Sequence, residues 1–219
     1  MPARTVFAAS LFLASVASAA IVPFTETFGQ GPADWRFSTA IGLTAQPAGG
    51  PDGSAYVSTP FSFASQTAGA FPVLFRGQEN FGPAGSSGGA FAGNWITDGV
   101  TELSAFVRHD ASVPLTFFAR IARSPAPGAI SSGLFEVPAN TWTRVTFAIT
   151  PNSPQWFNFE GSDFATVLST VARVQLGVFV PASLAGSTTP LTFDLDSVSI
   201  VPAPAGLGAF ALLLRRRRR

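Results

Sequence analysis

Aromatic and hydrogen-bonding side chains recur at alternate positions in three short, strand-like segments of this sequence. Residues i and i+2 of a β-strand share a face, so each segment places these side chains opposite an aliphatic face. Aromatic rings can stack on sugar rings, while Arg and Gln donate hydrogen bonds. If the three strands are neighbours in one sheet, they form a candidate binding patch of Phe106, Arg108, Phe118, Arg120, Gln175 and Phe179. The alternative is that loops such as 124–132 cover this face and bury Phe106 and Phe118 in a second small core.

Residues that could perform catalysis form no clear constellation. The single His, His109, stands beside Asp110 at the end of a candidate strand, which is typical of a surface His next to a turn. Gly85–Gly89 lacks the Lys and the following helix of a phosphate loop, so nucleotide cofactors are not expected. A glycosidase needs only two carboxyl groups about 5–9.5 Å apart, and 12 acids are spread along the chain. A secreted glycoside hydrolase or lyase therefore stays open as an alternative to a non-enzymatic protein.

The positive charge of the sequence is concentrated at its ends. The chain has 13 basic residues, all Arg, against 12 acids, and it has no Cys. Without Arg4 and the five terminal arginines, the central region has a net charge of about −5. This balance argues against nucleic-acid binding. The absence of Cys excludes disulfides and Cys-based metal sites.

The central region, residues 20–200, has the length of one domain and is predicted to be all-β. Short alternating runs are separated by Gly- and Pro-rich turns, such as Pro47–Ser54 and Phe81–Gly89. One short helix is predicted over Asp163–Ser169, capped by Ser162 or Asp163. Two packed antiparallel sheets in a jelly-roll-like β-sandwich fit this pattern. The predicted strands are Val22–Phe28, Ala55–Ser58, Val73–Phe75, Ala90–Ile96, Thr101–His109, Leu115–Ala122, Thr141–Ile149, Val171–Val180 and Leu191–Ile200.

Three segments of this domain resemble the jelly rolls of carbohydrate-binding modules. The opening segment Phe24–Trp35 is similar to their first strand with its nearby Trp, and Gly50–Ser58 to their glycine turn with the strand that follows. Thr192–Ile200 is similar to their last strand, where Asp196 and Val198 match. The resemblance implies a jelly-roll fold.

The same resemblance implies a structural Ca²⁺ that joins the first and last strands beside the glycine turn. Glu26, Asp52 and Asp196 lie at the matching places, and carboxylate and carbonyl oxygens are the ligands that Ca²⁺ prefers. In the alternative interpretation, Asp52 caps a turn, Glu26 is a solvated edge residue and Asp196 forms local hydrogen bonds.

The N-terminus has the pattern of a secretory signal peptide. Arg4 precedes an apolar run from Val6 to Val16, and Ala17–Ala19 is a small-residue cleavage site. Cleavage after Ala19 is expected.

The C-terminal tail joins an apolar run to a block of arginines. Ala205–Leu214 reaches about 15 Å as a helix, against about 30 Å of hydrocarbon, so it does not span a bilayer by itself. The tail resembles the PEP-CTERM protein-sorting signal of bacteria, although Ala203 replaces the Glu of the box and the apolar run is short. That resemblance implies export, cleavage by an exosortase-like enzyme and delivery to the cell surface or its exopolysaccharide matrix. The matching residues are Val201, Pro202, Pro204, Arg215, Arg216, Arg217, Arg218 and Arg219.

These features together predict a non-enzymatic, exported β-sandwich protein that works in adhesion, glycan contact or structure. We expect a signal peptide at 1–19, a β-sandwich at 20–200 and a sorting or anchor tail at 201–219. The expected partners are the export machinery, an exosortase-like enzyme and exopolysaccharide, with transient membrane association and no nucleic acid. The expected location is the cell envelope, the cell surface or the extracellular matrix.

Overall fold

A computed structural model describes residues 20–124, 128–131, 134–150 and 154–202 of the chain. The predicted signal peptide, together with Pro204 and Arg215–Arg219 of the predicted tail, lies outside these described residues. Val201 and Pro202, the first two residues of the predicted sorting box, end the last strand. Within the described ranges, no helix has the length and the apolar character that crossing a membrane requires.

The strands of the described residues pair antiparallel in two sheets, here called sheet A and sheet B. Sheet A contains β1 (Phe24–Glu26), β2 (Thr44–Gln46), β3 (Tyr56–Phe61), β5 (Val100–His109), β9 (Thr143–Ala148) and β12 (Leu191–Pro202). Sheet B contains β4 (Val73–Gln78), β6 (Leu115–Ala122), β7 (Gly128–Ser131), β8 (Phe135–Val137), β10 (Trp156–Phe159) and β11 (Arg173–Phe179).

The chain crosses repeatedly from one sheet to the other. The strand order in sheet A is β2-β3-β12-β5-β9, with β1 also paired to β12, and in sheet B it is β10-β7-β6-β11-β4, with β8 also paired to β6. Strands β3, β4, β5 and β6 therefore alternate between the two sheets. This arrangement confirms the predicted antiparallel β-sandwich.

The aliphatic faces predicted from the sequence pattern form the core between the sheets. Their side chains are all buried, because alternation puts every second residue of a strand on the inner face. They are Leu103, Ala105, Val107, Val145, Phe147 and Ile149 from sheet A and its ends, and Leu115, Phe117, Ala119, Ile121, Val174, Leu176, Val178 and Val180 from sheet B and its ends.

The short helix is confirmed over Phe164–Leu168, and Asp163 is its cap because its Oδ1 accepts the Thr166 amide at 2.8 Å. The strand predicted over Ala90–Ile96 is wrong. A 3₁₀-helix at Ser86–Gly89 ends just before this segment, and the segment itself is a loop with one isolated bridge at Gly93. The reason is backbone conformation, since Gly93 has a φ of 138°, which a regular strand does not use.

Candidate functional site

The six residues of the predicted binding patch lie on two different sheets. Strands β6 and β11 are neighbours in sheet B, where Gln175 stands opposite Arg120. Strand β5 lies in sheet A, because the chain changes sheets between β5 and β6. The single patch therefore does not form. The outer face of sheet B has Phe118, Arg120, Gln175 and Phe179, and the outer face of sheet A has Phe106 and Arg108.

A row of guanidinium groups crosses the outer face of sheet B. Gln175 stands opposite Arg120 on one side and opposite Arg76 of β4 on the other. Nη1 of Arg120 donates to Oε1 of Gln175 at 2.9 Å, and Gln175 is only 3% exposed. Arg173 lies two residues along β11 and points to the same face, and its Nε has no hydrogen-bond partner. Three partly exposed arginines thus surround a buried amide.

The electrostatics of this row favour an anionic ligand. Burial lowers the pKa of Arg76, and the charge of Arg120 lowers it further. Burial also lowers the pKa of Arg120, while Glu160 raises it and Arg173 lowers it. Glu160 lies 3.2 Å from Arg120, and no ion pair to Arg76 or Arg173 is found among the described residues. The row therefore has more positive than negative charge, although the domain as a whole is acidic.

A phenylalanine cluster borders the row. The Phe118 ring is fully buried beneath Phe71 and Phe179, with ring centroids 6.2 and 5.3 Å away. Phe71 itself is 58% exposed. Phe118 is thus buried with Phe71 over it, whereas Phe106 is partly exposed and lies on the other sheet, so the two rings do not share a second core.

Arg76 connects this cluster to a neighbouring cleft. Its Nη1 donates to the carbonyl oxygen of Phe37 and, at 2.7 Å, to that of Val73. The cleft has a volume of about 420 Å³, and Phe61, Phe71 and Arg76 are among the residues that line it. The guanidinium group is thus held at the edge of a partly aromatic cleft.

Two of the three predicted Ca²⁺ ligands, Asp52 and Asp196, both accept hydrogen bonds from Ser54, whereas Glu26 stands on β1 opposite Val198. Asp196 is fully buried, and its Oδ2 accepts the Ser54 hydroxyl at 2.8 Å. Burial raises the pKa of Asp196. The Asp52 carboxylate instead accepts the amide of Ser54 within its own turn, and the Glu26 carboxylate accepts the amide of Phe28.

No group of three His, Cys, Asp or Glu side chains suited to a metal ion occurs in the described part of the chain. The residues therefore do not provide the predicted three-carboxylate site, and no step is assigned to Ca²⁺. Calcium stays a prediction of the sequence. A thermal melt in EDTA and then in Ca²⁺ tests it, because a bound ion raises the midpoint and identical midpoints exclude the ion.

His109 is not the surface residue that the sequence predicts. It is 1% exposed, its Nε2 donates to the Val137 carbonyl at 2.9 Å, and its Nδ1 accepts the Ala111 amide at 3.2 Å. Gly85–Gly89 has the G-x-S-x-G spacing of a nucleophile elbow, but the Ser87 hydroxyl accepts the Trp35 indole N–H at 2.8 Å. His109 and Ser87 thus have other partners and form no catalytic pair.

Sequence reasoning missed four residues that shape the two outer faces. Arg76 follows the predicted strand Val73–Phe75, and extending the alternation to Gln78 would have placed it on the outer face. Tyr56 lies in the predicted strand Ala55–Ser58, where alternation puts it on the same face as Ser58. Trp142 lies in the predicted strand Thr141–Ile149, just before the start of β9, and alternation puts it on the same face as Arg144. Phe71 precedes both the predicted strand and β4, so alternation does not indicate where it lies.

No protein-family model matches the chain, and no curated protein matches it. Three solved structures have a similar fold. One contains the CBM22-1–GH10 modules of endo-1,4-beta-D-xylanase 10B from Clostridium thermocellum, complexed with xylohexaose, at 15% identity and a TM-score of 0.50 over 83% of this chain and 28% of that chain. An exo-beta-agarase has 12% identity and a TM-score of 0.53 over 85% of this chain and 26% of its own chain. A family 11 carbohydrate-binding module, also from Clostridium thermocellum, has 8% identity and a TM-score of 0.49 over 84% of this chain and 97% of its own chain.

This chain thus spans about a quarter of the length of the first two proteins. At these identities the comparison concerns the fold and not the ligand. The chain folds as a jelly-roll β-sandwich.

Proposed function

We propose that this protein is an exported, non-enzymatic polysaccharide-binding protein that holds acidic polysaccharide on the outer face of sheet B. One observation carries the proposal. The register of three neighbouring strands puts Arg76 and Arg120 on either side of Gln175, with Arg173 close by and fewer carboxylates than guanidinium groups.

The chemistry of the row suits the carboxylate groups of uronic acids. A guanidinium group offers two parallel N–H donors to a carboxylate, and this charge-assisted pairing is stronger than a neutral hydrogen bond. Arg173, which is partly exposed, adds a third guanidinium group on the same face. Exposed Phe71 adds an aromatic surface beside the row on which a sugar ring can stack.

The similar solved structures support a glycan ligand in general terms. One of them holds xylohexaose, and another is an exo-beta-agarase. The preference for an acidic polymer rests on the arginines of this chain alone.

The cellular location of the protein is part of the proposal. Cleavage after Ala19 would release the domain from its signal peptide, and the tail from Val201 to Arg219 would direct it to the cell surface or the exopolysaccharide matrix. The intact mass of the protein from the native cell envelope tests this. Loss of the first 19 residues and of the arginine block is expected, and a surface-located form that keeps both Met1 and Arg219 would contradict it.

Affinity electrophoresis tests the binding face directly. The full chain is run in native gels that contain alginate or pectate, and in parallel gels that contain a neutral glucan. We expect retardation by the acidic polymers that weakens as salt is added, because exposed charges are screened. Arg120→Ala should reduce the retardation about tenfold or more, as expected for the loss of a charge-assisted hydrogen bond.

Arg144→Ala is the matched control, because it also removes one guanidinium group but lies on sheet A, paired with Glu102 at 2.8 Å. Its retardation should equal that of the wild type. Equal loss in both variants would indicate a general charge effect and refute the assignment to sheet B. Release of reducing sugars from the polymer would refute the non-enzymatic proposal and favour a glycoside hydrolase or lyase.

A further inference from the structure

A second cleft lies on the outer face of sheet A, and its polar groups are not part of the proposed function. Its volume is about 340 Å³, within the range of small-molecule sites. Strand register forms its floor, because Ser58, Asp194 and Arg108 stand side by side on β3, β12 and β5. The cleft is also lined by Gln46, Tyr56, Asn140 and Thr192.

Asp194 is the unusual group in this cleft. The residue is only 5% exposed, and its Oδ2 accepts the Arg108 Nε at 2.8 Å. Its Oδ1 is buried and has no hydrogen-bond partner. A buried carboxylate oxygen without a donor is costly, so this atom indicates a ligand that supplies one.

Arg108 is held rigidly beside this carboxylate. Its Nη2 donates to the Tyr56 hydroxyl at 3.1 Å, and its Cζ lies 5.2 Å from the centroid of the Tyr56 ring and 4.6 Å from that of the Trp142 ring. The Trp142 indole in turn donates to the Gly49 carbonyl at 2.9 Å. These contacts fix the donors and acceptors of the cleft before a ligand arrives, which lowers the entropic cost of binding.

The charges of the cleft favour a neutral hydroxyl donor over a cation. Asp194 already has the Arg108 guanidinium as its counter-ion. Asp110, the other acid of the cleft, accepts the Thr192 amide at 2.7 Å. Calcium prefers six to eight oxygen ligands, and a guanidinium group beside the carboxylate opposes any metal ion. A hydroxyl group donates one hydrogen bond without adding charge.

We propose that this cleft binds a neutral hexopyranose unit of a polysaccharide, with one sugar hydroxyl donating to Oδ1 of Asp194. Tyr56 supplies the aromatic wall, and Gln46 and Asn140 supply further hydrogen bonds at the rim. The two outer faces then bind different ligands, an acidic polymer on sheet B and a neutral sugar on sheet A.

Ligand-observed NMR on the full chain tests the proposal, with methyl glucoside, methyl galactoside and methyl mannoside and the corresponding neutral hexasaccharides as probes. We expect binding of at least one series. Asp194→Asn should weaken it about tenfold or more, since the charged acceptor is replaced by a neutral amide, whose hydrogen bonds are weaker. Tyr56→Ala should weaken it as well, and this second variant keeps the test decisive if Asp194→Asn folds poorly.

Two matched controls accompany these variants. Glu102→Gln removes one carboxylate charge from the same sheet, and Phe157→Ala removes one exposed ring, 49% exposed, from sheet B. Both should bind like the wild type. Absence of binding to every neutral probe, or equal binding by Asp194→Asn, Tyr56→Ala and the controls, would overturn the proposal. Binding of Ca²⁺ alone to the cleft, if Asp194→Asn abolishes it, would overturn the proposal and indicate a cation site instead.

Discussion

Gly177 allows the backbone of β11 to approach the phenylalanine cluster, and its replacement by Ala should be strongly destabilising. A Cβ atom at this position would lie 2.3 Å from the Pro72 carbonyl oxygen and 2.6 Å from Cζ of Phe118. Insertion of a methyl group into packed surroundings costs about 1–3 kcal/mol. We expect Gly177→Ala to lower the free energy of unfolding by about 3 kcal/mol, because one of the two clashes is with a backbone atom, and the Pro72 carbonyl also accepts the Val178 amide. For a chain of this size the midpoint of thermal unfolding should fall by about 6–12 °C.

Chemical denaturation measured by Trp fluorescence provides the free energy of unfolding. Gly42→Ala is the matched control, because a Cβ atom there meets nothing within 4 Å and Gly42 has no positive φ. It should be neutral or stabilising by about 0.4–1 kcal/mol. If Gly177→Ala is as stable as Gly42→Ala, the close approach of β11 to Phe118 and Pro72 is wrong, and so is the account of how the cluster is packed.

Three further predictions follow from buried side chains. Burial lowers the pKa of His109 below its usual 6.5, so the unfolded chain takes up its proton at a higher pH than the folded chain. The free energy of unfolding should therefore be highest above pH 6.5 and decrease as the pH falls through the folded-state pKa. His109→Gln should remove this pH dependence when denaturation is measured from pH 7 to pH 5. Arg108→Met should lower the free energy of unfolding by about 3 kcal/mol, because it leaves Asp194 buried without a counter-ion. The side chain of Arg144 is 54% exposed, so Arg144→Met should change the free energy of unfolding by less than about 1 kcal/mol in the same assay. Phe118→Ala should cost about 3–5 kcal/mol by urea denaturation, since the ring is fully buried, and a cost below about 1 kcal/mol would contradict that burial.

Alternation of side chains was enough to predict the strands that carry the core. Strand β6 matches the prediction over Leu115–Ala122, and β5, β11 and β12 are each predicted to within a few residues. These segments alternate aliphatic and polar residues over at least seven positions, so their period is unambiguous. Strands β2, β7, β8 and β10 have only three or four residues, which is too short for the pattern to show.

The candidate sites depend on strand order, which the sequence pattern does not contain. Phe106 and Phe118 have the same local pattern, and only the crossing between sheets separates them. Arg76 and Arg120 are 44 positions apart in the sequence and become neighbours of Gln175 through β11. The cleft around Asp194 likewise needs β3, β12 and β5 in register. Residue types on each face were thus predictable, whereas their combination into sites was not.

The position of β12 determines how the domain responds to mechanical force. This strand is hydrogen-bonded along both edges. On one side it pairs with β5, and on the other side it pairs with β3 over Leu191–Leu195 and with β1 over Val198–Ile200. A pull on Pro202 against a polymer held on either outer face loads these bonds together, because they lie perpendicular to the strand. A pull between residues 24 and 202 acts differently, since Phe24 pairs with Ile200 and the two ends separate one hydrogen bond at a time. The domain should therefore resist a load between its C-terminal end and a bound polymer far better than a load between its own two ends.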